Sequence, residues 1–298
     1  MIHSFPLLNS EMSRRNAEPV IPSFDQSLSE ESLLELVPKV DGWIIGDDPA
    51  TAQVFHAGVR GRLRAAVKWG VGVDNVDFAS AKQVGLDVVN TPGMFSEEVS
   101  DIVLGYTVGL ARNLFSIDRG VRAGCWPKPV GISLKGKTAS IVGYGNIGQA
   151  TARKLIGLGL NIIVYDPECI KTPSAPIKIF PWPEKLDQAD FLIFTCSLTP
   201  KNRGMLNART LAACKKGVMV VNVSRGALID ESALADCIKS GKVFGAALDV
   251  FQEEPLPKGS PLRRFDACIF GSHNSSNTLE AVEKTSLKAI QLLFERLK

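Results

Sequence analysis

Ala139-Ser140-Ile141-Val142-Gly143-Tyr144-Gly145-Asn146-Ile147-Gly148 decides the reading of this chain: a short apolar run enters a turn with three glycines and leaves it as a helical stretch, 146–158. Strand, G-x-G-x-x-G, helix is the context that a dinucleotide-binding turn requires. Gly143 permits the tight turn, Gly145 lets the backbone approach a pyrophosphate, and Gly148 lets helix and strand pack closely. The helix start adds unpaired N–H donors and partial positive charge, to which Asn146 and Ile147 belong. Taken alone, such a turn is also an ordinary glycine-rich turn, and S-adenosylmethionine proteins use similar ones. Asp166 narrows the choice. It ends the next apolar run, Ile162-Ile163-Val164-Tyr165, about 20 residues beyond the glycines, where a carboxylate accepts from adenosine ribose hydroxyls. A carboxylate there repels a 2′-phosphate, and Pro167 and Glu168 supply no arginine, so the expected cofactor is NAD rather than NADP.

Outward from this turn, apolar runs at 191–195, 218–223, 244–250 and 267–270 alternate with helical stretches at 207–215, 231–240 and 278–296. With 140–142 and 161–165 they make six expected strands of a doubly wound α/β sheet. Upstream, Ser29 caps an expected helix over 29–37, and the runs Trp43-Ile44-Ile45, Ala65-Ala66-Val67 and Asp87-Val88-Val89 are separated by helix-like stretches at 50–58 and 77–84. That alternation predicts a second, smaller α/β unit. The segment 97–114 is apolar on most of its circumference, which predicts a helix buried on all sides, for instance at a subunit interface. Gly and Pro punctuation over 113–134 reads as a connecting helix plus loop.

Composition sets the class. At 298 residues, with 45% hydrophobic and 22% charged residues, the chain is long and apolar enough to fold as about two domains of roughly 150 residues each, which excludes a peptide hormone or a disordered protein. The formal charge of +3 carries no basic block, so neither nucleic acid nor a membrane surface is the expected partner. Six cysteines, without CxxC pairs or neighbouring histidines, argue against a zinc site and a disulfide framework, and suit a reducing compartment. No apolar run approaches the roughly 18 residues of a membrane span, and Met1-Ile2-His3-Ser4 does not open a signal peptide, so the expected location is cytoplasmic.

The histidines are His3, His56 and His273. His3 and His56 read as surface residues, whereas His273 lies just past the run 267–270, at the end of a strand where doubly wound sheets bind ligands. Arg225 follows the run 218–223 and Glu254 follows 244–250, so all three point to one rim. An arginine holds a carboxylate in a bidentate fork and polarises a neighbouring carbonyl. A histidine paired with a carboxylate donates a proton to a carbonyl oxygen as hydride arrives, and accepts it in reverse. Individually, each residue is as readily a surface or loop residue; jointly, beside a dinucleotide turn, they point to catalysis.

Several motifs in one order now carry a resemblance. Lys68-Trp69-Gly70-Val71-Gly72-Val73-Asp74-Asn75-Val76-Asp77, Asn90-Thr91-Pro92-Gly93, the cofactor turn, Asn222-Val223-Ser224-Arg225-Gly226, Gly245 through Pro255, and His273 together make the chain similar to the D-isomer-specific 2-hydroxyacid dehydrogenases, most closely their phosphoglycerate-dehydrogenase-like branch. The resemblance spans most of the chain. It implies a doubly wound Rossmann NAD-binding domain, 92–274, inserted into a smaller flavodoxin-like α/β substrate domain made of 1–91 with 275–298, usually as a homodimer in which the 97–114 helix belongs to the dimer arm. It also implies that a small 2-hydroxy acid and its 2-oxo acid are interconverted. On this resemblance Arg225 binds substrate carboxylate and carbonyl, Glu254 supports His273, and His273 is the acid/base. Val71 and Gly72 hold the carboxylate through backbone N–H groups, Asn146 and Ile147 touch the pyrophosphate, Asp166 the ribose, and Asp249 the nicotinamide amide.

The departures are as specific. Where phosphoglycerate enzymes of the family carry an arginine for the phosphate, this chain has Gly46-Asp47-Asp48, whose carboxylates repel one, although Lys68 and Lys128 bring positive charge. Phe95 and Asp101 replace the asparagine and glutamate of many members. Residues 1–22 offer no apolar strand to open the first domain, unless Ile2-His3-Ser4-Phe5 is a remnant of it, and a missing strand predicts a less stable first lobe. A nicotinamide-sensing regulatory protein and an inactive truncated homologue remain alternatives, and a formate-type dehydrogenase is disfavoured by Glu254 at the position where those enzymes often carry glutamine.

Overall fold

The computed structural model describes residues 5–22, 27–169 and 177–298. The chain divides into two compact units, Met1–Phe95 with Asn277–Lys298, and Ser96–Ser276.

Unit 1 runs α1 (Phe5–Arg14), α2 (Glu30–Leu36), β1 (Gly42–Ile45), α3 (Ala52–Arg60), β2 (Ala65–Lys68), α4 (Phe78–Gln83) and β3 (Asp87–Asn90), and closes with the C-terminal helix α10 (Leu279–Arg296). Short polar side chains start its helices: Ser29, Thr51 and Asp77 accept from the backbone N–H groups of Ser32, Val54 and Ser80. The strands form a parallel sheet in the order β1-β2-β3, with Ile44 beside Val67 and Val67 beside Val89. β2 is buried along its whole length, as a central parallel strand covered on both faces must be. Ala66 faces Leu33, Val54 and Phe55, while Ala65 and Val67 face Ala289 and Leu293 of α10. The expected strand remnant is not realised at Phe5, which begins α1; Ile2, His3 and Ser4 lie outside the described residues. Arg15, just past α1, sets its guanidinium 5.0 Å from the centre of the Phe294 ring on α10.

Unit 2 runs α5 (Ser96–Arg112), α6 (Leu114–Arg122), β4 (Thr138–Val142), α7 (Asn146–Gly157), β5 (Asn161–Tyr165), β6 (Ile177–Ile179), β7 (Phe191–Phe194), α8 (Ala208–Ala213), β8 (Val218–Asn222), α9 (Glu231–Lys239), β9 (Val243–Leu248) and β10 (Ile269–Phe270). Its seven strands are all parallel, in the order β10-β9-β8-β7-β4-β5-β6. The chain moves outward through β5 and β6, then returns past β4 to β7, so the topological switch lies between β4 and β7. The seventh strand, β6, was not among the six expected because Ile177-Lys178-Ile179 is too short to show a period. Ile141, Phe191, Leu192 and Phe194 fill the sheet with no exposed surface.

Within the single chain α5 is buried over part of its circumference. Val99, Val103, Tyr106 and Leu110 are buried, Ile102, Leu104 and Val108 are half-buried, and Asp101 and Gly105 are exposed. Within one chain α5 meets α7, α6 and the sheet strands β8 and β9. No helix among the described residues is long and apolar enough to cross a membrane.

A three-stranded sheet has two edges for one interior strand, whereas the seven-stranded sheet has five interior strands between its edges. Limited proteolysis should therefore nick unit 1 before unit 2. Equal resistance of both units would contradict this.

Candidate active site

The glycine turn lies at the switch between β4 and β7, where the ends of those strands diverge. Gly143 has φ +93°, a conformation open to glycine, and a Cβ on it would press on the backbone of Cys196 just beyond β7. A Cβ on Gly148 would collide with the Gly143 carbonyl, so α7 can approach the turn this closely only without a side chain there. The Gly143 carbonyl accepts from the Thr195 hydroxyl at 2.8 Å, which ties the turn to the β7 end. Gly145, in contrast, has open space where its Cβ would be, and no side chain caps α7. The α7 start at Asn146 and Ile147 therefore offers backbone donors to open space, which fits a pyrophosphate. Asp166 stands at the end of β5 with Oδ2 accepting from Tyr144 N at 2.6 Å and Oδ1 from Glu168 N at 2.9 Å. Each oxygen keeps a second lone pair for a ribose hydroxyl. These residues fit NAD.

At the other end of the same rim, three loops bring Arg225, Glu254 and His273 together. Buried Asn222 shapes the first: its side chain donates to Arg225 O and accepts from Ser224 N. A Cβ on Gly226 would collide with the Phe251–Gln252 peptide, so the turn after β8 presses directly on the loop that carries Glu254. His273 Nδ1 lies 2.7 Å from Glu254 Oε2, while Glu254 Oε1 accepts from Phe251 N at 2.9 Å. Burial alone would raise the Glu254 carboxyl, but the hydrogen bonds from His273 and Phe251 and the charges of His273 and Arg225 outweigh it and hold the group below its ordinary range. Glu254 is thus an ionised acceptor, which assigns the proton on Nδ1 and turns the other imidazole nitrogen, Nε2, to whatever enters the site.

Asp249 sits between these groups in a setting that the sequence did not disclose. It is 1% exposed, and its carboxylate accepts from Asn274 N and Ser275 N in the segment around His273. A contact with nicotinamide is expected of it, yet its oxygens are already engaged within unit 2. The sequence reading also passed over Tyr106, which faces Asp249 from α5, and Thr195; a lone tyrosine in an apolar helix and a threonine at a strand end carry no signal in spacing. His56 is exposed on α3, as expected of a surface residue, and His3 lies outside the described residues.

Val71 and Gly72 lie in unit 1, on the loop after β2. Gly70 N donates to buried Thr91 Oγ1 at 2.8 Å, and Asn75 Nδ2 donates to the carbonyls of Gly46 and Asp48, which pins this loop to the β1 end. Lys68 is 4% exposed, with Nζ donating to Gly46 O at 2.7 Å and Trp69 O at 3.0 Å. Phe95 is buried with its ring centre 5.3 Å from that of Trp69.

Comparison with known proteins agrees with this geometry. Residues 104–275 match the family described as D-isomer specific 2-hydroxyacid dehydrogenase, NAD binding domain. A hydroxypyruvate reductase of Thermotoga maritima is 32% identical over 278 residues, covering 91% of this chain and 90% of the relative. A D-3-phosphoglycerate dehydrogenase of Methanocaldococcus jannaschii is 36% identical over 264 residues, 85% of this chain, but the match spans 49% of that protein's length. Among solved structures, the TT0316 protein of Thermus thermophilus superposes with a TM-score of 0.89 at 30% identity, covering 97% of this chain and 93% of the other. With the glycine turn, the switch-point strands and a matching sequence over most of its length, the chain belongs to the D-isomer-specific 2-hydroxyacid dehydrogenases and is an NAD-dependent oxidoreductase of that family.

Proposed function

We propose that this enzyme reduces a small, unphosphorylated 2-oxo acid to the D-2-hydroxy acid, with His273 as acid/base, Glu254 as its support and Arg225 as the anchor of the substrate. The observation that carries the reading is the 2.7 Å pair between His273 Nδ1 and Glu254 Oε2 beside Arg225. Gly143, Gly145, Asn146, Ile147, Gly148 and Asp166 would hold NAD, which when bound supplies or accepts the hydride. His273 donates its Nε2 proton to the carbonyl oxygen, and the Glu254 carboxylate stabilises the imidazolium before transfer. Arg225 pairs with the substrate carboxylate and draws charge from the carbonyl. On the family resemblance, backbone N–H groups of Val71 and Gly72 are expected donors to a substrate carboxylate, and Asp249, although its oxygens already accept from the 274–275 backbone, is the expected neighbour of the nicotinamide amide.

The preference against a phosphorylated substrate follows from charge in unit 1. Asp47, its side chain 69% exposed just past β1, puts a carboxylate where a phosphate would need a cation, and the Lys68 ammonium is engaged by Asp47 Oδ1 at 3.5 Å and by carbonyl oxygens. Hydroxypyruvate and glyoxylate carry the needed carboxylate and carbonyl without that cost. Among the described residues no cysteine is joined in a disulfide, which suits a cytoplasmic location. A homodimer would cover α6, which buries none of its own residues, together with Trp126 at 77% and Val130 at 94% exposure. Sedimentation should give twice the chain mass, and Trp126→Lys should lower it; a monomer at micromolar concentration would reject this assembly.

Nicotinamide absorbance should fall when the protein and NADH meet hydroxypyruvate or glyoxylate, and much more slowly with 3-phosphohydroxypyruvate. NADH binding without turnover of any 2-oxo acid would count against the reading and favour a nicotinamide sensor. His273→Ala should keep NADH affinity and lose about 10²–10⁴-fold in kcat, since the change lies in proton transfer.

Glu254 sets the acid side of the pH profile. Its folded-state carboxyl is depressed below 4.5, so its pairing is present above the unfolded value and is lost as pH falls through the folded one. Wild-type kcat should show no inflection from this group above pH 4.5. Glu254→Gln should lower kcat across the neutral range.

A further inference from the structure

The segment that carries His273 is held by one buried residue. Asp249 accepts from His273 N through its main-chain carbonyl at 2.7 Å, and its carboxylate accepts from Asn274 N at 3.2 Å and Ser275 N at 2.9 Å. His273 itself has φ +55°, a conformation that residues other than glycine seldom adopt, so its backbone depends on these bonds. From a distant part of the chain, α5 delivers the hydroxyl of Tyr106 beside the same carboxylate. Gly271 makes the meeting possible, because a Cβ there would collide with Asp249 Oδ1 and stand 2.5 Å from the Tyr106 hydroxyl. Burial, with the Asp249 charge beside it, pushes the Tyr106 hydroxyl far above its ordinary range, so it stays protonated and carries no proton to substrate. Its chemistry here is that of a fixed donor to an anion that the surroundings otherwise leave dry.

We propose that Tyr106 is a positioning residue for catalysis: its hydroxyl orients the Asp249 carboxylate, which through the 273–275 backbone aims the His273 imidazole at Glu254. This rests on the reading of His273 as acid/base. A site of this kind tolerates only about 0.5 Å or 10–20° of misplacement, so the loss of one hydroxyl two residues removed from the chemistry is enough to be felt. The α5 helix thereby takes part in the site without touching substrate.

The test is Tyr106→Phe, which removes one oxygen and keeps the ring that fills the space between α5 and the sheet. In the whole protein with NADH and no substrate, the low-field proton resonance of the His273 Nδ1–Glu254 bond is recorded, with Glu254→Gln identifying the signal by its loss. The expected result is a shifted or exchange-broadened resonance, unchanged NADH affinity, unchanged cooperative unfolding and kcat lower by about tenfold with KM nearly constant. An unaltered resonance with unaltered kcat overturns the proposal, and so does a loss confined to NADH affinity, which would put Tyr106 under the cofactor instead. Tyr106→Leu, which removes donor and ring together, should move the resonance at least as far; if it alone does so, the role is packing and the proposal fails. Since the resonance needs no substrate, failure of every 2-oxo acid to turn over would strike the oxidoreductase reading and leave this result standing.

Discussion

Seven strands running in one direction leave seven carboxyl ends at one rim, and that constraint carries the chemistry of unit 2. In a parallel sheet, each strand delivers the residue just past its end to the same side, however far apart the strands lie in sequence. Gly143 after β4, Asp166 after β5, Arg225 after β8, Asp249 after β9 and His273 after β10 share an edge for this reason. Hairpin connections would have sent alternate residues to opposite edges. The switch between β4 and β7 then opens the crevice at the one place where neighbouring loops turn away from each other.

Close backbone approach is the second condition, and glycine meets it at a few positions. Gly148 lets α7 sit against the turn, Gly226 lets the Arg225 loop press on the Glu254 loop, and Gly271 lets Asp249 and Tyr106 meet. Each would place a Cβ against backbone or a buried polar group, so a larger residue would separate the groups that the site brings together. These positions are far more restrictive than Gly145, where space is left open and the ligand is the expected occupant.

The electrostatics follow from burial in steps. Glu254 is drawn inward, which by itself favours the neutral acid, yet it receives two hydrogen bonds and lies near the Arg225 guanidinium and the His273 imidazole, so it stays charged. Its charge then assigns the tautomer of His273. Asp249, buried more deeply, is kept by backbone N–H groups and Tyr106, and acts on the loop rather than on substrate. Two carboxylates on adjacent loops thus do different work because their surroundings differ.

Much of this was legible in the sequence. The strand–glycine–helix order around Gly143, the acid at Asp166 and the polar residues after three further apolar runs are local patterns, set by backbone sterics and by the need to bury apolar side chains; they named the dinucleotide turn and the triad. β6 escaped because three residues carry no period, and the neighbours of α5 escaped because an apolar circumference says how much surface seeks cover, not what covers it. Asp249 with Tyr106 escaped for a deeper reason: their meeting spans more than 140 positions of chain, rests on the missing side chain of Gly271, and exists only after α5 has packed on the sheet. Residue type and spacing determine which chemistry is available along the chain, since they act within a turn or a strand. Which buried charge is held, and by which donor, is decided by tertiary packing, because desolvation and hydrogen-bond geometry belong to the assembled interior.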